Sequence, residues 1–276
     1  MMSIRAGVLL FIACPLLGSG TAGAQGADVE LWRLDCGEFI DFPIEKWSDT
    51  WAYPGKTGPL ASSCYLVRHG QAYMLWDTGL SAATVELFGR GGYKTRVRET
   101  IEDQLARISV APSQITILGI SHHGGDHVGQ ASRFAHARLL MGRQDFEALV
   151  QSGSDALAPW TTAPDKLERI AGDKDVFGDG SVVMLATPGH TLGHHSLLVR
   201  LPRTGPVILA GDLWLFAEDV RHSGVPPLGL GTMDRAAALA SMDRITKAAA
   251  NLRARIIIQH EPADIAKLPA FPASAR

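Results

Sequence analysis

The sequence predicts an α/β protein with a single folded domain. Short apolar runs are typical of buried strands, and they alternate with segments whose apolar side chains recur at helical spacing. The composition supports a large globular core, because 46% of the 276 residues are apolar and 20% are charged. The formal charge of −2 gives no basic excess, so nucleic acid is not an expected partner.

The first 24 residues have the pattern of a secretory signal peptide. A positive segment, Met1–Arg5, precedes an apolar run over residues 6–18, and Ala22-Gly23-Ala24 matches a small-residue cleavage site. We therefore predict a signal peptide over residues 1–24 and one mature domain over residues 25–276, periplasmic or secreted and free of the membrane. An uncleaved anchor is the alternative.

Cys36 and Cys64 are the cysteines that remain after this cleavage. An oxidising compartment favours a disulfide between them, and a pair of buried free thiols is the alternative. Neither has a second cysteine at the spacing of a metal knuckle, so we do not expect thiolate ligands.

The predicted strands are apolar runs bounded by turn residues or by polar residues. They cover Glu30–Phe39, Cys64–Arg68, Ala72–Trp76, Ile115–Ile120, Val182–Ala186, Ser196–Leu201, Val207–Ala210 and Arg255–Ile258. His69-Gly70-Gln71 separates the second and third of these and indicates a hairpin turn. Asp41–Pro59, rich in Trp, Pro and Gly, is predicted to be a long loop.

Two helices are predicted from apolar side chains that fall on one face. In the first helix that face consists of Val97, Ile101, Leu105 and Ile108. In the second helix it consists of Leu239, Met242, Ile245, Ala249 and Leu252.

Histidines and aspartates follow several predicted strands at the point where each strand ends. The candidates are His122, Asp126, His127, His190, Asp212 and His260. A sheet holds side chains rigidly at such positions while leaving them accessible at its edge. A single histidine there is usually structural, but six such residues together favour a metal site. Imidazole and carboxylate ligands suit zinc, manganese or iron.

The order and spacing of these residues resemble the metallo-β-lactamase superfamily, whose first motif is His-x-His-x-Asp-His. The matching segments are residues 122–127, Thr187-Pro188-Gly189-His190, Gly211-Asp212, His260 and the earlier Asp77-Thr78-Gly79. Residues 64–69, 75–80, 193–197, 240–245 and 258–264 are similar to segments of the N-acyl-homoserine lactonase branch. The resemblance implies an αββα sandwich of two mixed sheets flanked by helices.

The resemblance also implies an exported, metal-dependent hydrolase that acts on a small molecule. Its expected reaction is opening of the lactone ring of N-acyl-homoserine lactones or related cyclic esters by a metal-bound hydroxide, which would quench quorum signals. By position, His122 and His190 belong to one metal, while Asp126, His127 and His260 belong to a second. Asp212 would bridge both, and Asp126 would also orient the nucleophile or carry its proton. One or two Zn2+ ions are expected, with other divalent metals open.

Two positions depart from the pattern of the family. Gly124 stands where the first motif has its second histidine, and Leu215 stands where lactonases of this branch tend to carry Tyr or His. His123 either replaces the missing ligand or lies outside the metal shell. If Gly124 simply leaves a ligand position empty, Gly124→His is expected to restore a full first metal site.

Other functions stay open at this level. One is a metallo-β-lactamase acting on β-lactams, and another is a catalytically weakened protein that binds lactones or acyl ligands. His194 and His195 are predicted to be hydrogen-bonded scaffold residues. Aromatic side chains near the site either line an acyl pocket or pack the core: Trp47, Trp51, Trp214 and Phe216. The sequence does not determine the oligomeric state.

Overall fold

Two mixed β-sheets pack face to face, with helices on their outer faces. The computed structural model describes residues 28–276, so the predicted signal peptide lies outside the described residues. Among residues 28–276, none of the helices is both long and apolar enough to cross a membrane.

The first sheet consists of β1 (Val29–Phe42), β2 (Gly58–His69), β3 (Ala72–Trp76), β4 (Thr95–Arg96), β5 (Ile115–Ile120), β6 (Arg138–Gly142) and β7 (Leu167–Ile170). Its spatial order is β4-β1-β2-β3-β5-β6-β7. Neighbouring strands among β4, β1, β2 and β3 pair antiparallel. Neighbouring strands among β3, β5, β6 and β7 pair in parallel. The parallel strands end at one edge, where the motif of residues 122–127 follows β5.

The second sheet consists of β8 (Lys174–Asp175), β9 (Val182–Ala186), β10 (His195–Leu201), β11 (Gly205–Leu209) and β12 (Arg255–Ile257). Its order is β12-β11-β10-β9-β8, and β11 and β12 form its parallel pair. The helices are α1 (Ala82–Arg90), α2 (Ile101–Arg107), α3 (Gly125–Val128), α4 (Arg143–Gln151), α5 (Ala158–Thr161), α6 (Ala217–His222), α7 (Arg235–Leu252) and α8 (Pro262–Ile265). Single 3-10 turns cover Ile44–Lys46, Pro112–Gln114, Ala131–Phe134, Pro164–Lys166 and Gly211–Leu213.

Three layers of apolar packing hold this sandwich together. Between the sheets, Met74 and Trp76 of the first sheet belong to the same buried cluster as Leu197 of the second. Helices α2, α4 and α5 bury apolar side chains such as Leu105 against the outer face of the first sheet. Helix α7 packs Ile245 and its neighbours against the outer face of the second sheet. The αββα arrangement predicted from the resemblance is therefore confirmed.

The first predicted helix begins later than its apolar face suggested. Thr100 caps α2, because its Oγ1 accepts a hydrogen bond from the backbone N–H of Asp103 at 3.1 Å. The Asp103 carboxylate accepts in turn from the backbone N–H of Thr100 at 3.3 Å. Val97 therefore lies before the helix, and a capping box, not the apolar period, sets its start.

Strands β1 and β2 are longer than predicted, and they shorten the predicted loop of Asp41–Pro59. β1 continues to Phe42 and pairs there with Gly58, the first residue of β2. Within the loop, Ile44–Lys46 forms a 3-10 turn. The predicted hairpin about Gly70 is confirmed, since His69 pairs with Ala72.

Cys36 of β1 and Cys64 of β2 form a disulfide, with Cα atoms 5.8 Å apart. Both residues are fully buried. The predicted pairing is therefore confirmed, and the bond joins the two long strands beside the turn of Asp77-Thr78-Gly79.

Candidate metal centre

The six predicted ligand residues lie at neighbouring ends of strands from both sheets. His122 follows β5, and the adjoining helix α3 carries Asp126 and His127. The other three come from the second sheet and follow β9, β11 and β12 in turn: His190, Asp212 and His260. The structure therefore brings together every residue that the sequence nominated.

These side chains form two groups that could each hold a cation. His122, His190 and Asp212 present ligand atoms within 4.8 Å of one another, and Asp126, His127 and His260 do the same. All six side chains are shielded, with between 0% and 14% of their surface exposed.

Asp212 lies between the two groups and faces each with a different oxygen. Its Oδ2 is 3.4 Å from Nε2 of His190 and 3.7 Å from Nε2 of His122. Its Oδ1 is 2.9 Å from Nε2 of His260 and 3.1 Å from Nε2 of His127. In this position the carboxylate would offer one oxygen to a cation in each group.

Unpaired buried atoms show that the residues fit a metal. Nε2 of His127 and Oδ1 of Asp212 are both buried and form no hydrogen bond, although they lie 3.1 Å apart. A buried polar atom without a partner is costly, and a cation between these atoms would satisfy both. The nitrogen and oxygen donors also match the preferences of zinc.

Hydrogen bonds at the Nδ1 atoms of two ligand histidines orient their Nε2 atoms towards the centre. Nδ1 of His127 lies 3.0 Å from Oδ2 of Asp77, and Nδ1 of His260 donates to the carbonyl oxygen of Ala61 at 2.6 Å. Asp77 is itself held, because its Oδ1 accepts from the backbone N–H of Ser121 at 2.7 Å. Such partners fix the tautomer and orientation of a metal-ligating imidazole.

The charges of the centre favour an ionised carboxylate and divide the histidines. Burial would raise the pKa of Asp212, but His260 and the other facing histidines hold this pKa well below its usual range. Burial and the neighbouring His127 lower the pKa of His122 well below its usual value. Burial would lower the pKa of His127 and of His260, but the facing Asp212 and Asp126 raise both above the usual value. Metals bind neutral imidazole and carboxylate, so His122 and Asp212 are already in the ligand form, whereas a metal would compete with a proton at His127 and His260.

His123 does not replace the missing ligand. Its Nδ1 contacts Oδ1 of Asp145, a buried carboxylate of α4, and the side chain is 25% exposed. Of the two options left open by the sequence, His123 therefore lies outside the cation groups. Sequence reasoning missed Asp145, since no motif marks it.

Gly124 is a tightly packed position and not merely a missing ligand. A β-carbon built there would lie 2.6 Å from Nε2 of His122 and 3.0 Å from Cδ2 of His127. The expectation that Gly124→His restores a full first site is therefore revised, because the added side chain would displace a ligand already present.

His194 and His195 are hydrogen-bonded scaffold residues, as predicted. Nε2 of His194 accepts from the backbone N–H of Asp212 at 3.0 Å. Nδ1 of His195 lies 2.8 Å from the carbonyl oxygen of Gly193. Both histidines are buried, and they affect the site by positioning the backbone groups to which they are hydrogen-bonded.

A cavity of about 340 Å³ opens onto the centre and has a largely apolar wall. Its apolar lining is Phe39, Phe42, Trp47, Leu60, Phe88, Tyr93, Leu215, Leu230 and Met233. Of the four aromatic candidates from the sequence, Trp47 alone belongs to this lining. Trp214 and Phe216 are buried in the core instead, and Trp51 is 83% exposed. Their positions near the motif did not indicate which way each ring would turn.

A sequence model of the metallo-beta-lactamase superfamily matches residues 57–260, most of the chain. The chain belongs to this superfamily. The match confirms the resemblance and the fold class predicted from the sequence, and with them the class of enzyme, a metal-dependent hydrolase.

Curated relatives of this superfamily member are similar over most of its length. An N-acyl homoserine lactonase from Bacillus sp is 29% identical over 217 residues, which cover 75% of this chain and 84% of the relative. The N-acyl homoserine lactonase AttM from Rhizobium radiobacter is 28% identical over 181 residues, which cover 61% of this chain and 68% of the relative.

Solved structures share the fold. AiiA from B. thuringiensis, in a variant with N-decanoyl-L-homoserine bound at its active site, superposes with a TM-score of 0.74 at 24% identity, covering 89% of this chain and 98% of that one. AidC, described as a dizinc quorum-quenching lactonase, gives a TM-score of 0.64 at 17% identity, covering 90% of each chain.

Proposed function

We propose that this protein opens the lactone ring of N-acyl homoserine lactones. The observation that carries the proposal is the position of Asp212, whose two oxygens face two separate groups of ligand atoms. The names of the relatives, lactonases of this type, support the choice of substrate. The cavity offers an apolar wall for an acyl chain directly beside the centre.

We take the cofactor to be Zn2+, which suits these nitrogen and oxygen donors. His122, His190 and Asp212 would hold one ion, and Asp126, His127 and His260, with Asp212 shared, would hold the other. A bound divalent metal lowers the pKa of water and polarises a carbonyl group.

The chain itself supplies orientation and proton transfer. Asp126 lines the cavity, and its Oδ2 lies 3.8 Å from Nε2 of both His127 and His260. From this position its carboxylate can take the proton of the attacking water and deliver it to the ring oxygen as the ester bond breaks. Phe42, Leu215 and their neighbours would place an apolar surface beside the reacting ester.

Metal content and ring opening test this proposal together. Residues 25–276 would be analysed by elemental mass spectrometry and assayed on N-hexanoyl homoserine lactone, with Asp126→Ala and His260→Ala as variants. We expect both variants to lose about 100-fold or more of the wild-type kcat/KM. His136→Ala is the matched control, because His136 lies on the surface and contacts the carbonyl oxygen of Pro112.

Three results would overturn the proposal. The first is full ring-opening activity in both ligand variants. The second is tight lactone binding by calorimetry without turnover in a metal-loaded wild type, which would indicate a binding protein. The third is turnover of a chromogenic β-lactam in preference to the lactone, which would assign the site to β-lactam hydrolysis.

We also propose that the protein is exported. The signal-peptide pattern of residues 1–24 supports this, and so does the disulfide of Cys36 and Cys64, since disulfides persist in oxidising compartments. Fractionation of expressing cells and the intact mass of the recovered protein test it. A mature chain that begins at Gln25 is expected, and a full-length cytoplasmic chain with free thiols would contradict it.

A further inference from the structure

The wall of the cavity contains a histidine that belongs to neither cation group. His123 lines the cavity beside Gly124 and Thr191. Its ring centroid is 6.4 Å from that of His122, so the two neighbouring histidines occupy different positions. The motif of the family does not account for a histidine here.

His123 is held by a buried acid. Its Nδ1 contacts Oδ1 of Asp145, which is 1% exposed. The second oxygen, Oδ2, accepts a hydrogen bond from Oγ1 of Thr191 at 2.8 Å. Backbone packs closely on this carboxylate, since a β-carbon at Gly193 would lie 2.6 Å from Oδ2. Asp145 is thus fixed, and it fixes the ring of His123.

This arrangement determines what the other ring nitrogen can do. A carboxylate facing Nδ1 accepts a hydrogen bond from the N–H at Nδ1, and the neutral ring then carries its lone pair on Nε2. Nε2 forms no hydrogen bond with any other residue in the range 28–276, and it is not buried. His123 lines this cavity and also a neighbouring one that Gln130 and Leu149 line, so its free nitrogen lies on the boundary of the site.

Besides His123, the hydroxyl groups of Tyr93, Thr191 and Thr232 line the cavity outside the centre. The oxygen of Thr232 is buried, and the hydroxyl of Thr191 donates to Asp145. Of these groups, His123 directly follows the ligand His122, and the ring centroids are 6.4 Å apart. It is therefore positioned for a ligand whose N–H group lies close to its lactone ring. An N-acyl homoserine lactone with a plain acyl chain carries one such donor, the amide N–H.

We propose that Nε2 of His123 accepts a hydrogen bond from the amide N–H of the substrate, so that the site selects N-acylated lactones over plain lactones. This inference rests on the proposed function of the same site. Asp145 is a positioning residue in this arrangement, because it acts on the substrate only through the ring of His123.

Substrate discrimination tests the contact. The substrates would be N-hexanoyl homoserine lactone and γ-decalactone, which has a similar ring and an alkyl chain but no N–H. The variants would be His123→Phe, which keeps a ring without an acceptor, and His123→Gln, which keeps an acceptor. His136→Phe, at the surface position in contact with Pro112, is the matched control.

We expect His123→Phe to lower the ratio of kcat/KM for the two lactones about tenfold, through KM for the N-acylated substrate. His123→Gln should restore part of the ratio, and His136→Phe should leave it unaltered. Asp145→Asn should lower the ratio as His123→Phe does, because an amide N–H facing Nδ1 moves the ring proton to Nε2. An equal loss on both substrates would show a structural role and overturn the inference, as would an unaltered ratio.

Calorimetric binding separates this inference from the proposed function. Both lactones would be titrated into wild type and into His123→Phe. The affinity of each protein for each lactone is then compared, which requires no turnover. If wild type opens neither lactone, the proposed function fails, while a selective loss of affinity for the N-acylated ligand still supports the contact. Equal affinities of the two proteins for that ligand would overturn it.

Discussion

The backbone N–H of Asp212 donates a hydrogen bond to Nε2 of His194 at 3.0 Å. Because Nε2 accepts, the proton of the ring lies on Nδ1, which is 3.1 Å from the carbonyl oxygen of Thr187. Burial and, to a smaller extent, the nearby His190 lower the pKa of His194 to about 3, so the ring stays neutral near pH 7. A neutral buried histidine thus sets the direction of the carboxylate shared by the two cation groups.

Replacement of His194 tests this support. His194→Leu would leave the N–H of Asp212 buried without an acceptor, which costs about 1–3 kcal/mol. We expect lower stability in denaturant unfolding and a lower metal content. His194→Gln offers a side-chain oxygen in place of Nε2 and should retain more of both. Equal losses in the two variants would show that the volume of the ring, and not its acceptor, is what matters.

The ligand residues could be predicted because each is tied to a local pattern. A short apolar strand followed by a polar residue at a turn identified Asp212 and His260, and the sheets then brought these strand ends together. The αββα architecture followed from the resemblance, and the strand boundaries mostly followed from apolar runs such as Ile115–Ile120.

The direction of His123 could not be predicted in the same way. The glycines that follow it allow several backbone paths. Its partner Asp145 is 22 residues further along the chain, on a helix that the sequence patterns did not reveal. The aromatic wall of the cavity could not be predicted for the same reason, since Phe88 and Tyr93 reach the cavity from α1 and the turn that follows it. Contacts between distant segments depend on packing that no local pattern encodes.

Substitution of Gly124 should remove metal from the centre. The methyl group of Gly124→Ala would lie 2.6 Å from Nε2 of His122, a distance that forces this ligand to move. We expect lower metal content and a lower rate of lactone opening, and a larger loss for Gly124→His. Gly125→Ala is the control, because its β-carbon meets only the end of the Phe88 ring, at 3.2 Å. A gain of metal in Gly124→His would instead support the empty-ligand interpretation.

Removal of the shared carboxylate should affect both cations, whereas removal of one histidine should affect one. Asp212→Ala takes away both oxygens, and we expect metal content to fall from about two ions per chain to below one. His260→Ala should leave the group of His122 and His190 able to bind. Elemental analysis after dialysis against a weak chelator measures both. Equal metal content in Asp212→Ala and wild type would show that Asp212 does not bridge.

The buried pair of Asp219 and Tyr53 predicts a pH dependence of stability away from the centre. The Tyr53 hydroxyl donates to Oδ1 of Asp219 at 2.8 Å, and the backbone N–H of Phe216 donates to Oδ2 at 3.0 Å. Burial nevertheless raises the pKa of Asp219 to about 6, and the nearby Asp49 acts in the same direction. Because the folded state binds the proton more tightly than the unfolded state, this group makes stability fall as pH rises from about 4 to 6.

Comparison of wild type with Asp219→Asn isolates this contribution. The asparagine does not titrate, so the stability of wild type relative to the variant should fall by about 2 kcal/mol between pH 4 and pH 8. Metal loss at low pH affects both proteins and cancels in the difference. Tyr53→Phe retains the carboxyl and should retain the pH dependence. Denaturant unfolding at several pH values measures it, and a difference that is flat with pH would mean that Asp219 titrates with the ordinary pKa of an exposed carboxyl.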